Sequence, residues 1–172
     1  MDAALVETTR LSLLPLKEVD FEPLWTIWSE PAVREHLVTL PNTREDFRRM
    51  FDNMRASGES LAMWTLRLRE DESVIGRCGF YEFDEERTPE LAFLLSKAAW
   101  GRGLATEAAT AALDYGFGTR RWPRIVALAR PENLRSLRVL EKLGMNYVEQ
   151  IAIHGLPVDL FEIQRGAPPQ TP

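Results

Sequence analysis

The chain has 172 residues and one cysteine, Cys78. An internal disulfide is impossible, which fits a reducing compartment and predicts a cytoplasmic protein. Cys78 stands in an apolar run and is expected to be a buried, unreactive thiol. Histidine is almost as scarce. His36 and His154 are far apart and belong to no Cys/His cluster, so no metal site is expected. No apolar run approaches the ~20 residues that cross a bilayer. The N-terminus lacks the basic-then-apolar pattern of a secretory signal, so no membrane partner is expected. The formal net charge of −5 leaves no basic surplus for a phosphate backbone, and no nucleic-acid partner is expected. Lysine is confined to Lys17, Lys97 and Lys142, and the other cations are arginines. No Gly-Lys-Ser/Thr is present, which excludes a P-loop.

What remains is an ordinary globular composition, 45% hydrophobic, at a length suited to one domain. Residues 1–165 are expected to form that domain, and the Pro- and Gly-rich residues 166–172 a frayed tail. Residues 10–16 alternate around Leu11 and Leu13 and read as a first strand ending near Pro15. Val19, Leu24, Trp25, Ile27 and Trp28 suggest an amphipathic helix stopped by Pro31. Thr43 and Asp46 resemble a capping box. Phe47, Met50, Phe51 and Met54 continue as a helical stripe, closed by Gly58. Residues 61–68, 74–83 and 90–95 read as three strands. Ala105, Ala108, Ala109, Ala112, Leu113, Gly116 and Phe117 fall on one small-residue helical face, suited to tight packing on a sheet. A strand over 125–129 follows, then a helix over 133–143 closed by Gly144 as a left-handed cap. A final pair of strands, 145–153 and 158–164, is joined through residues 154–157. The order predicts a mixed α/β (α+β) single domain and not an evenly alternating, doubly wound one.

One segment carries chemistry. A strand over 91–95 runs into Trp100, Gly101, Arg102, Gly103, Leu104, Ala105 and Thr106, where a helix begins. The first N–H groups of a helix lack internal partners and the helix dipole adds positive charge, so this is a ready anion site. Glycine lets backbone approach a phosphate with no Cβ between them, and Arg102 adds a cation. A Rossmann fingerprint would need a third Gly or Ala where Thr106 stands, and no parallel βαβ unit opens the chain. Two readings stay open on this segment: a seat for a CoA pyrophosphate, or a plain strand-to-helix turn.

Gly101-Arg102-Gly103-Leu104-Ala105, followed by Thr106-Glu107-Ala108, resembles the pyrophosphate motif of the GNAT superfamily of N-acetyltransferases. The segment from Pro131-Glu132-Asn133 to Leu143-Gly144-Met145 resembles the second diagnostic segment of the RimJ/RimL-like branch, which acetylates ribosomal-protein N-termini. Thr9-Arg10-Leu11, Leu14-Pro15-Leu16 and Val74-Ile75-Gly76 also match that branch. The likeness spans nearly the whole chain, in order and at the expected spacing. It implies a central mixed, mostly antiparallel twisted sheet of about seven strands flanked by about four helices. It also implies acetyl-CoA as cosubstrate, a primary amine as acceptor (on a small molecule or at a protein N-terminus), and a monomer or homodimer. Two positions depart from the superfamily. Trp100 stands where Gln or Arg is common, three residues before Gly103. Leu140 stands where many members carry a tyrosine, seven residues after Asn133, that protonates the leaving thiolate.

Roles follow from that likeness. Phe93, Leu94 and Leu95 would pair with the pantetheine arm, and a free backbone N–H there would polarise the thioester oxygen. Residues 101–106 would hold the pyrophosphate. Asn133 would bind the pantetheine arm or cap its helix, or both. Ser136 would protonate the thiolate in place of the missing tyrosine, unless it is only a tolerated helix serine. Arg138 would reach phosphate or be solvated. Glu90, at the start of its strand, is the candidate general base, directly or through water; otherwise it is a surface glutamate. A carboxylate near pKa ~4.3 is a poor base, so burial or a water relay is required. At pH 7 an α-amine is roughly 14% neutral and a lysine amine roughly 0.04%, so an N-terminal acceptor needs less help. The acceptor side is expected from residues 25–36 and 153–158. A non-catalytic acyl-CoA-binding domain of the same fold is the competing reading.

Overall fold

The computed structural model describes residues 5–38, 41–57 and 61–166. Residues alternating between two apolar surroundings build one eight-stranded sheet. In chain order the strands are β1 (Val6–Glu7), β2 (Leu11–Pro15), β3 (Met63–Leu68), β4 (Val74–Glu82), β5 (Pro89–Leu95), β6 (Arg124–Ala129), β7 (Asn146–Ile153) and β8 (Leu156–Gln164). Their spatial order is β1-β2-β3-β4-β5-β6-β8-β7. Every neighbouring pair is antiparallel except β5 and β6. Five α-helices accompany the sheet among the described residues: α1 (Phe21–Trp28), α2 (Pro31–Arg34), α3 (Arg44–Ser57), α4 (Leu104–Asp114) and α5 (Leu134–Lys142). The strand and helix each exceed the expected count by one short element, β1 and α2.

Two apolar layers flank the sheet. On one side Phe21, Leu24, Trp28, Phe47, Phe51 and Met54 of α1 and α3 pack with Leu94. On the other the small face of α4, Ala108, Ala109 and Ala112, packs on Cys78, Phe80, Leu91 and Ile125. The period-2 alternation of β5 sorts its residues between them, with Leu91 and Leu95 facing α4 and Leu94 facing α1. Cys78 is wholly buried, and burial pushes its thiol up to about 12, so it is inert.

Local chemistry explains the departures from the sequence reading. Pro31 does not merely stop α1. It opens α2 at the first helical position, where its missing N–H is no loss. The small-residue helix ends at Asp114 and continues as a π-helical turn, Tyr115–Thr119. There Gly116 lets Trp122 and Ile125 approach; a Cβ would lie 2.8 Å from Ile125 Cδ1. β7 and β8 are joined by His154 and Gly155 alone, at φ of 50° and 78°, the left-handed pair of a tight hairpin. The capping box is present: the Asp46 N–H donates to Thr43 Oγ1 and the Thr43 N–H to Asp46 Oδ2. Gly144 is left-handed at φ 73°. The expected stop at Gly58 and the tail beyond Gly166 lie outside the described residues. No helix among the described residues is long and apolar enough to cross a membrane.

Candidate active site

The site begins where the sheet stops being a sheet. β5 and β6 pair in parallel only at Glu90↔Val126 and Leu91↔Ala127. Beyond Leu91 the strands part, and Phe93, Leu94 and Leu95 keep a ladder partner only on the β4 side. A cleft of about 520 Å³ opens there. Val33 and Leu37 also line it. Its other walls are the N-terminal turn of α4 and a face of α5 that runs to Lys142.

The α4 wall is backbone. After β5, a 3-10 turn over Lys97–Ala99 leads to Trp100, whose indole N–H donates to the Leu95 carbonyl at 2.9 Å. Gly101 and Gly103 are both left-handed, at φ 74° and 76°, conformations that other residues enter at a cost. A Cβ on Gly101 would meet nothing within 4 Å, and one on Gly103 would meet only Arg10 Nη2 at 3.6 Å. Gly103 is the N-cap of α4 and no side chain caps this helix. Its first N–H groups therefore have no capping side chain at the positive end of the helix dipole. Gly101, Gly103, Leu104, Ala105 and Thr106 all line the cleft. Arg102 does not; its guanidinium sits 3.5 Å from Glu70.

The α5 wall is side chains. Asn133 Oδ1 accepts from the Ser136 N–H at 3.2 Å, so the capping reading of Asn133 holds geometrically, and Asn133 lines the cleft as well. Ser136 and Arg138 line the same wall. Arg135, which sequence reasoning gave no role, stacks its guanidinium on the Trp100 ring at 4.1 Å and so joins the two walls. Leu140 is buried in the core and off the cleft, so its position offers the site no hydroxyl.

Glu90 is not on the cleft lining. It stands three residues before Phe93, roughly 10 Å along an extended strand. It faces the α1 side, opposite Tyr81 in the β4–β5 register. Burial pushes its carboxyl up to about 7, against a lowering pull from Arg77. Arg77 is itself buried, stacked over the rings of Trp28 and Tyr81 at 5.2 and 5.3 Å. A run of apolar residues around Arg77 gave no warning of this cation. Among the described residues no group of His, Cys, Asp or Glu is arranged to hold a metal ion.

The arrangement suits a ligand with an anionic end at α4 and an extended arm along β5. Comparisons with known proteins identify the family. Residues 10–146 match the acetyltransferase (GNAT) domain model. An uncharacterised N-acetyltransferase of Bacillus licheniformis, p20, is 32% identical over 142 residues, covering 80% of this chain and 79% of its own. The crystal structure of an acetyltransferase from Agrobacterium tumefaciens superposes with a TM-score of 0.84 at 25% identity, over 95% of this chain and 96% of its own. The crystal structure of ribosomal-protein-S5-alanine acetyltransferase from Vibrio fischeri shares the fold, with a TM-score of 0.79 at 14% identity over 95% of this chain and 98% of its own. The family uses acetyl-CoA, and the uncapped, Cβ-free start of α4 together with the unpaired end of β5 fits that group. The chain belongs to the GNAT acetyltransferase family and is an N-acetyltransferase.

Proposed function

We propose that the enzyme transfers the acetyl group of acetyl-CoA directly to a primary α-amine, such as a protein N-terminus, in a ternary complex. The observation that carries this reading is the meeting, in one cleft, of an uncapped helix N-terminus and an unpaired strand edge. Acetyl-CoA supplies an activated acyl carbon and a thiolate leaving group. Residues 101–106 hold the pyrophosphate through backbone N–H groups, those of Leu104, Ala105 and Thr106 included. Arg138 adds charge from α5, and Arg102 contributes through its backbone. Phe93, Leu94 and Leu95 present the strand edge to the pantetheine arm, and one of their N–H groups polarises the carbonyl. Asn133 spends its Oδ1 on the cap and offers its amide N–H to the same arm.

The amine nitrogen forms the C–N bond as the C–S bond breaks. Its proton passes to Glu90 through water, given the distance along β5. Ser136 Oγ–H gives a proton to the departing sulfur and recovers one from solvent. A base near pKa 7 matches an α-amine of about 7.8 far better than a lysine amine of about 10.4. That match supports the α-amine, and the segments at residues 9–11 and 131–145 support the RimJ/RimL-like branch. A single buried thiol suits the cytoplasm.

The test is acetylation of an amine panel, read by mass, with wild type and Glu90→Gln over pH 6–9.5. Glu90 acts when ionised, so wild-type turnover should rise through pH 7 as its proton leaves, and Glu90→Gln should lose that limb. The defect should be modest for a peptide N-terminus and largely gone above about pH 8.5, where that amine is mostly neutral. For a polyamine it should be larger and should shrink as pH rises, over a higher range. Equal fractional activity for both acceptors at every pH would remove Glu90 from the proton path.

A further inference from the structure

The Thr9-Arg10-Leu11 segment lies far from the cleft in sequence, yet the structure carries it to the back of the phosphate loop. Arg10 Nη1 donates to the Arg102 carbonyl at 2.8 Å, between the two left-handed glycines. Arg10 Nε and Nη2 fork onto Glu107 Oε2 at 2.7 and 2.6 Å. The Arg10 backbone N–H and Thr8 Oγ1 both donate to Glu107 Oε1, at 2.8 and 2.6 Å. The Arg10 carbonyl in turn accepts from the Arg69 N–H at 2.9 Å, fixing this residue to the turn after β3.

Glu107 makes this cluster more than a brace. It sits in the first turn of α4, the turn that would receive a pyrophosphate. A free carboxylate there favours the helix dipole but repels a second anion at the same place. Glu107 is not free. Burial pushes its carboxyl up, but the hydrogen bonds from Thr8 and Arg10 outweigh that and hold it ionised. Its charge is turned away from the cleft and matched by a guanidinium. Arg10 is itself 46% exposed, so core packing does not explain its place.

We propose that Arg10 is a positioning residue for donor binding: it holds the Gly101–Gly103 turn by the Arg102 carbonyl and cancels the charge of Glu107 beside the pyrophosphate seat. This rests on the reading of that turn as the CoA site. The inference concerns affinity for the donor's phosphates and leaves the acyl-transfer chemistry to other groups.

The test compares wild type, Arg10→Met and the double variant Arg10→Met/Glu107→Gln. CoA binding is measured by calorimetry, and turnover is measured with acetyl-CoA and with S-acetylpantetheine, which lacks the pyrophosphate. Arg10→Met should raise the CoA dissociation constant and the acetyl-CoA KM about tenfold, with kcat at saturating acetyl-CoA changed less than about threefold. The penalty with S-acetylpantetheine should be much smaller. Removing the stranded carboxylate in the double variant should recover part of the lost affinity. Thermal melting separates a folding defect, and in that case Arg10→Gln supplies the milder test. An equal loss with both donors, or a lowered melting temperature with unchanged CoA affinity, would make Arg10 a structural brace and overturn the proposal. A wild type that binds no CoA would instead sink the assignment of the turn as the CoA site.

Discussion

Two helix N-termini face the same cleft and end in opposite ways. α4 starts on a left-handed glycine and has no side-chain cap. α5 starts on Asn133, whose side chain closes the first turn by accepting from Ser136. The open terminus leaves its donors to an outside anion. The closed one is free to present side chains, namely the Asn133 amide and the Ser136 hydroxyl. Charge differs between the two. The open, positive terminus carries an acid, Glu107, which suits the dipole but would repel a bound anion, while α5 carries Arg135 in its first turn, where a cation opposes the dipole. Each charge has a neighbour: Arg10 neutralises Glu107, and Arg135 lies on Trp100.

Substitutions at three positions test the division of labour, in falling order of effect. Ser136→Ala removes the proposed acid without touching the backbone N–H that closes the cap. Turnover should fall on the order of 10²-fold, with CoA affinity little changed. If turnover is unchanged while chemistry is rate-limiting, water or another hydroxyl protonates the sulfur. Gly103→Val puts a β-branched residue at φ 76° and fills the opening of α4. CoA affinity should fall roughly tenfold or more, because the branched side chain stands where a phosphate must approach and the strained turn relaxes away from the binding geometry. Wild-type affinity by calorimetry would take this turn out of the site. Asn133→Ala should cost about 1 kcal/mol of stability through the lost cap. Asn133→Asp keeps a capping oxygen and loses the amide. Its melting temperature should stay near wild type while the acetyl-CoA KM rises a few-fold, and an unchanged KM would leave Asn133 as a cap only.

Much of this was legible in sequence because it is written in local rules. The period of Phe47, Met50, Phe51 and Met54 and the box at Thr43 and Asp46 are each short-range signals with one physical reading, and the glycine pair before a small-residue helix is as local a signal, with two readings. What stayed hidden depends on contacts across the chain. Nothing local in Thr9-Arg10-Leu11 says that Arg10 ends beside Arg102, almost a hundred residues on. The same holds for Glu90. Its place at a strand start was readable, but the burial that lifts its carboxyl to about 7 comes from the helices packed against that face. The unexpected α2 and the tight His154–Gly155 turn were missed for a different reason: both are shorter than the window over which periodicity can be seen.

The parting of β5 from β6 has a thermodynamic consequence. Strands β1 to β5 form one continuous ladder and β6, β8 and β7 another, and only two residue pairs of backbone join them. A donor lying along the free edge of β5 fills this seam, so its binding energy enters the folding equilibrium. A ligand at a hundred times its dissociation constant adds about 2.7 kcal/mol to the folded state. Backbone pairing is thus thin across the place proposed for the donor, and a loaded protein is expected to be the more stable one.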